Sequence, residues 1–122
     1  MSARVGAAAV AVLGKALFHA GDGLGLTEAE LSAALAVDLP RLQALRRGLD
    51  GLQPQTEEWR RALQLVELYQ GLLAVMGTEY GARQWLRSHN LGLRGRPLAL
   101  IRQRAGLEQV ITYLRAARSP PA

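Results

Sequence analysis

Val5, Ala9, Val12, Leu13, Ala16, Leu17 and Ala20 recur at spacings of three and four residues, the period of one face of a helix. Gly21, Gly23 and Gly25 predict its end, and Lys15 and His19 share its polar side. The next block, residues 26–49, opens on Thr27 and Glu30. That spacing is a capping box, in which each side chain satisfies an orphan backbone N–H of the other. Leu31 and Leu35 face inward, Val37 and Asp38 break the helix, and Asp38 can cap a second one whose first turn tolerates Pro40. Leu42 and Leu45 bury the inner side of that second helix, and Gly48 ends it. Two short helices, a short turn and an inward Val in the turn describe a helix-turn-helix at about residues 27–48.

After a loop from Leu49 to Pro54, Thr56 caps a long helix over residues 57–76, with Glu57 and Glu58 in its electropositive first turn. It has two apolar stripes. One is Trp59, Leu63, Val66, Leu73 and Met76; the other is Leu65, Leu68, Leu72 and Val75. A helix apolar on two sides lies between two layers, and its second stripe is also a possible dimer surface. Gly77 and Thr78 start a further helix with Ala82, Trp85 and Leu86 on one face and Tyr80 flanking. His89 and Asn90 end it, Leu91 and Leu93 fold the connection inward, and Arg96-Pro97 enters a short helix that Gly106 breaks. Leu107, Val110, Ile111 and Leu114 form the last stripe.

Every block has the helical period, so the predicted class is all-α. The chain reads as a small helical bundle, in which the long central helix joins a helix-turn-helix module to a module of short helices. The boundaries implied are 1–76, 77–118 and a disordered tail at 119–122. Composition agrees: 49% of the 122 residues are apolar but only 5% aromatic, so the core is built from Leu, Ala and Val. The apolar run Ala7–Leu13 is too short to span a membrane, and Lys15 interrupts it as a signal-peptide core.

Charge divides the chain unevenly. Residues 1–79 hold seven Lys/Arg against nine Asp/Glu, whereas residues 80–122 hold eight Arg against Glu108 alone. A basic C-terminal module suggests an acidic partner, nucleic acid or protein, unless it is simply a solvated arginine surface. The outward residues of the second helix-turn-helix helix are Arg41, Gln43, Ala44, Arg46 and Arg47. Gln43 suits an adenine edge and the arginines suit guanine or phosphate, whereas a helical hairpin with a solvated face is the plainer reading. Glu28, at the start of the first of these helices, would repel phosphate.

Catalysis is not supported. There is no cysteine, which removes disulfides and thiolate metal sites and fits a reducing compartment. His19 and His89 are far apart in sequence, no paired carboxylate sits in an apolar setting, and Gly21-x-Gly23-x-Gly25 follows no strand. We therefore expect no enzyme activity, cofactor, metal or small-molecule substrate.

Residues 27–48 resemble the Xre-type helix-turn-helix at Thr27, Leu31, Leu35, Val37, Leu42 and Gly48, with Glu28, Ser32, Ala36 and Asp38 as departures. The C-terminal order A-x-x-W-L, N-x-x-L-x-G-x-P, then G-L, Val and Tyr-Leu is similar to the toxin-binding domain of the Xre/MbcA/ParS antitoxins. It is carried here by Ala82, Trp85, Leu86, Asn90, Leu93, Gly95, Pro97, Leu100, Gly106, Leu107, Val110 and Leu114. The resemblance implies a cytoplasmic antitoxin that neutralises a RES-domain toxin, an NAD⁺-degrading enzyme, and represses its own operon by binding operator DNA. It places toxin contact on the loop Asn90–Pro97 and on the last helix through Arg118. The candidate contacts are Asn90, Arg94, Arg96, Arg102, Arg104, Arg115 and Arg118, while Trp85, Gly95 and Pro97 hold the fold. Palindromic operators imply a homodimer. The alternative is a stand-alone repressor with no toxin.

Overall fold

The computed structural model describes residues 6–118, so the expectations for Val5 and for the tail at 119–122 lie outside the described residues. Among the described residues there are seven helices and no strand: α1 (Ala7–Gly23), α2 (Glu28–Leu35), α3 (Leu39–Arg46), α4 (Glu57–Met76), α5 (Glu79–Arg87), α6 (Pro97–Leu100) and α7 (Arg104–Arg118). The all-α expectation holds.

The first helix differs from the sequence reading at both ends of its inner face. Leu13, Leu17 and Ala20 are buried, but Val12 is 66% exposed. Gly21 and Gly23 do not stop the helix; they lie inside its last turn and let neighbours approach. A β-carbon at Gly21 would sit 3.1 Å from the Leu31 side chain, and one at Gly23 only 2.4 Å from the Tyr69 ring. The turn falls at Gly25 alone, where φ is +68°. The orphan carbonyls at the end of α1 are capped from far along the chain. Arg83 of α5 donates through Nε to the Gly23 carbonyl at 2.9 Å and through Nη2 to Asp22 at 3.1 Å. Arg87, one turn later, donates to the carbonyls of Leu24 at 3.3 Å and Gly25 at 2.7 Å.

α2 and α3 follow their predicted signals. The Thr27 N–H donates to Glu30 Oε1 at 2.8 Å, and the Glu30 N–H donates to Thr27 Oγ1 at 3.1 Å, closing the capping box. Asp38 Oδ1 accepts from the Arg41 N–H at 2.9 Å, with Pro40 in the first turn. Between them Ala36 is left-handed at φ 63°. The Ser32 hydroxyl donates to the Val37 carbonyl and ties the turn down.

α4 packs against both α1 and α7 and buries Ala62, Leu65, Leu68, Tyr69 and Leu72, whereas the first of its two predicted stripes is at most partly buried. Leu65, Leu68 and Leu72 are at most 1% exposed, so the stripe considered for dimerisation is consumed inside the molecule. Leu63, Val75 and Met76, expected inward, stand exposed because only part of the helix circumference is covered. Arg61 is buried, donating to Glu57 at 3.1 Å and to the Ala34 carbonyl at 3.3 Å, which fastens α4 to the end of α2. One hydrophobic cluster runs from Leu13 through Leu65 and Leu86 to Leu114, so both groups of helices share a core.

Candidate functional site

The C-terminal helices build one candidate surface. Thr78 caps α5 by accepting from the Gly81 N–H at 3.0 Å, and Ala82 and Leu86 anchor its inner face. The chain then makes a tight loop closed by paired backbone hydrogen bonds between Asn90 and Gly95, at 2.9 and 3.2 Å. Asn90 Oδ1 accepts from the Leu93 N–H at 3.0 Å, so this side chain builds the loop from inside. Leu93 is buried, whereas Leu91, expected inward, is 86% exposed at the tip. Arg94 takes a left-handed conformation, φ 58°, that turns the chain toward α6.

Pro97 sits in the first turn of α6, as predicted. The helix ends at Leu100, however, and Gly106 lies inside α7 instead of breaking it. Its role is close approach: a β-carbon there would fall 2.0 Å from the Leu100 carbonyl oxygen. On α7, Tyr113 lies beside the loop, with the β-carbon position of Gly92 2.9 Å from its ring. The Tyr113 ring is tilted against Trp85 of α5 at 6.3 Å between centroids.

The arginines on this half separate into two groups. Arg115 forms a two-pronged contact with Glu67 of α4, at 2.6 and 2.7 Å. That guanidinium's hydrogen bond holds the Glu67 carboxyl below the usual range against the opposing effect of burial. Arg104 pairs with Glu57 at 3.6 Å and Glu108 at 3.7 Å, and Arg118 lies over Gly71 of α4. Arg94, Arg96 and Arg102 are exposed and carry no side-chain hydrogen bond or ion pair among the described residues. Sequence alone does not sort these residues, because apart from Glu108 of α7 itself the acidic partners come from α4.

The outward surface of α3 is sorted in the same way. Arg41 donates to both carboxylate oxygens of Glu58, at 3.2 and 2.6 Å, to the Gly51 carbonyl at 3.3 Å, and to Asp50. Arg46 meets Glu28 at 2.6 Å and Asp22 at 3.3 Å and lies 4.4 Å over the Phe18 ring. Ala44 is half-buried. Gln43 and Arg47 are exposed without a side-chain partner among the described residues. A concavity of about 920 Å³ lies between α1 and residues 45–52, lined by Arg46 and Arg47 together with Val10, Phe18, Leu45 and Leu52.

Residues 71–119 match the family model of the antitoxin Xre/MbcA/ParS C-terminal toxin-binding domain. The match supports a toxin-binding antitoxin. It begins in the middle of α4, six residues before the boundary expected at 77, and takes in α5, the closed loop, α6 and α7. A toxin-binding domain implies a toxin as partner and points to a regulatory role without catalysis. No curated protein matches the chain. Among the described residues, no helix is long and apolar enough to cross a membrane, and no group of three His, Asp or Glu side chains could hold a metal ion.

Proposed function

We propose that this chain is the antitoxin of a toxin–antitoxin pair, that its partner is a RES-domain toxin degrading NAD⁺, and that it represses its own operon as a cytoplasmic homodimer. The observation that carries the reading is the match of residues 71–119 to a toxin-binding domain. Three unpaired arginines of that segment, Arg94, Arg96 and Arg102, stand ready for carboxylates of a partner. The capped α2–turn–α3 unit supports the DNA-binding half, with Gln43 and Arg47 as the side chains available to base edges and phosphates. Since Leu65, Leu68 and Leu72 of α4 are buried, pairing of two copies would use another surface, such as the exposed apolar turns of α1 around Val12.

The experiment is co-expression with the product of the adjacent gene. The expected result is rescue of growth, a co-purifying complex and NAD⁺ levels restored to those of cells without the toxin. An adjacent product that is harmless and does not co-purify would favour the stand-alone repressor, which the helix-turn-helix geometry also supports.

A further inference from the structure

We propose that the basic face of the helix-turn-helix is self-masked: Asp22 and Glu28 hold Arg46 as a latch, occupying the guanidinium that would otherwise meet a phosphate of bound DNA. The inference rests on the DNA-binding half of the proposed function and assigns its regulation to named side chains.

Both arginines of α3 that the sequence offers to DNA are held by carboxylates from other elements, but the two clusters differ. Arg41 is closed in. Glu58 is only 15% exposed, it also accepts from the Gln53 N–H at 2.9 Å, and Arg41 reaches the Gly51 carbonyl as well. That cluster ties the loop after α3 to the start of α4. Exchanging its carboxylate for a phosphate would strand a half-buried Glu58, so Arg41 is a fold residue.

The Arg46 cluster faces solvent. Asp22 is 63% exposed and Glu28 42%, and neither accepts another side-chain hydrogen bond. Burial pulls the Arg46 guanidinium down, but the hydrogen bonds to Glu28 and Asp22 outweigh it, so its pKa lies above the ordinary arginine value. Solvent-exposed ion pairs contribute at most about 1 kcal/mol. The latch can therefore open without unfolding anything.

Its effect on DNA is twofold. Two negative charges stand at the surface that phosphates must approach, and one phosphate-binding fork is already filled. The face thereby keeps Arg47 as an unpaired cation next to a cluster of one positive and two negative charges. Such a surface binds DNA weakly and with a shallow salt dependence. It also explains how a recognition helix ending in Arg46-Arg47 sits in a half-chain with more acidic than basic residues.

The test measures binding of the full chain to a labelled duplex from the promoter of its own gene, and to a scrambled duplex, across a salt series. For Asp22→Asn plus Glu28→Gln, the expected result is tighter binding and a log–log salt slope steeper by roughly 0.9, the release expected for one added phosphate contact. Adding Arg46→Ala in that background should return the slope to the starting value. The control is Glu67→Gln plus Glu108→Gln, which removes the same charge from the α4–α7 side. If the control gains as much, or if the double variant gains nothing while the parent binds, the latch is wrong and the DNA-binding reading stands. If no version binds either duplex at low salt, both fall. Should the double variant melt early, Asp22→Asn and Glu28→Gln singly give the same readout.

Discussion

The Tyr69 hydroxyl donates to Oε2 of Glu79 at 2.7 Å, joining the middle of α4 to the first turn of α5 directly against Gly23 of α1. The His19 ring meets Tyr69 edge-on at 5.4 Å from above. Three helices from both halves of the chain thus converge on one phenol. Tyr69→Phe should cost about 1.5–3 kcal/mol, the net value of a hydrogen bond to a charged group, since it removes the bond to Glu79 and the longer contact with His19. Gly23→Ala should cost about 1–3 kcal/mol, because the added methyl overlaps a buried ring. Chemical denaturation midpoints of the two variants test both losses.

The same contact predicts an alkaline effect. The hydrogen bond to Glu79, then burial, raise the Tyr69 pKa above its ordinary value of 10.0. A raised folded value means this stabilisation is complete below the ordinary phenol pKa and is lost as pH rises through the folded one. The stability difference between the parent chain and Tyr69→Phe should therefore shrink above about pH 10. A constant difference across that range would contradict the assignment.

At acid pH the relevant pair is Glu67 and Arg115. Its depressed carboxyl stabilises the fold above the ordinary glutamate pKa, about 4.3, and this is lost as pH falls through the folded value. Arg115 is 65% exposed, so the whole effect should stay below about 1 kcal/mol. Glu67→Gln should flatten the acid limb of the thermal-stability profile and do so less at high salt.

Ala36 occupies a left-handed position that glycine takes without steric cost. Ala36→Gly should stabilise the chain by about 0.5–1 kcal/mol, the steric relief less the extra entropy glycine loses. A lowered melting midpoint would show that the turn is held otherwise.

For partner binding, the division of the arginines gives a sharper expectation than their number. Reversing Arg94, Arg96 and Arg102 to Glu should slow association with the co-expressed toxin roughly tenfold or more at low salt and leave the fold intact. Arg115→Ala should do the opposite, lowering stability slightly while association is retained. Stopped-flow association and thermal melts of the same preparations separate the two.

Local signals were legible in the sequence where one short segment determines them. The Thr27–Glu30 box, the Asp38 cap, the Thr56 cap of α4 and the Pro97 entry each depend on residues within a turn or two. What could not be read was set by distant neighbours. Gly21 and Gly23 look like a helix stop, yet they are spacers because Leu31 and Tyr69 arrive there. Gly106 looks like a break, but the Leu100 carbonyl needs its missing side chain. Arg41 and Arg46 have the spacing of an outward basic face, and only the folded chain brings Glu58, Asp50, Asp22 and Glu28 to them. The loop that the Asn90 side-chain oxygen closes was likewise not legible before the Leu93 N–H was placed beside it.

The grip of Arg83 and Arg87 on the end of α1 also sets a schedule for synthesis. A nascent chain made only as far as Met76 already contains α1 to α4, but not Arg83 and Arg87, the side-chain donors to the carbonyls of residues 22–25 some sixty residues upstream. The end of α1 therefore gains these donors only after α5 has left the ribosome. An incomplete translation product would lack these donors, leaving the last turn of α1 more open to local fraying.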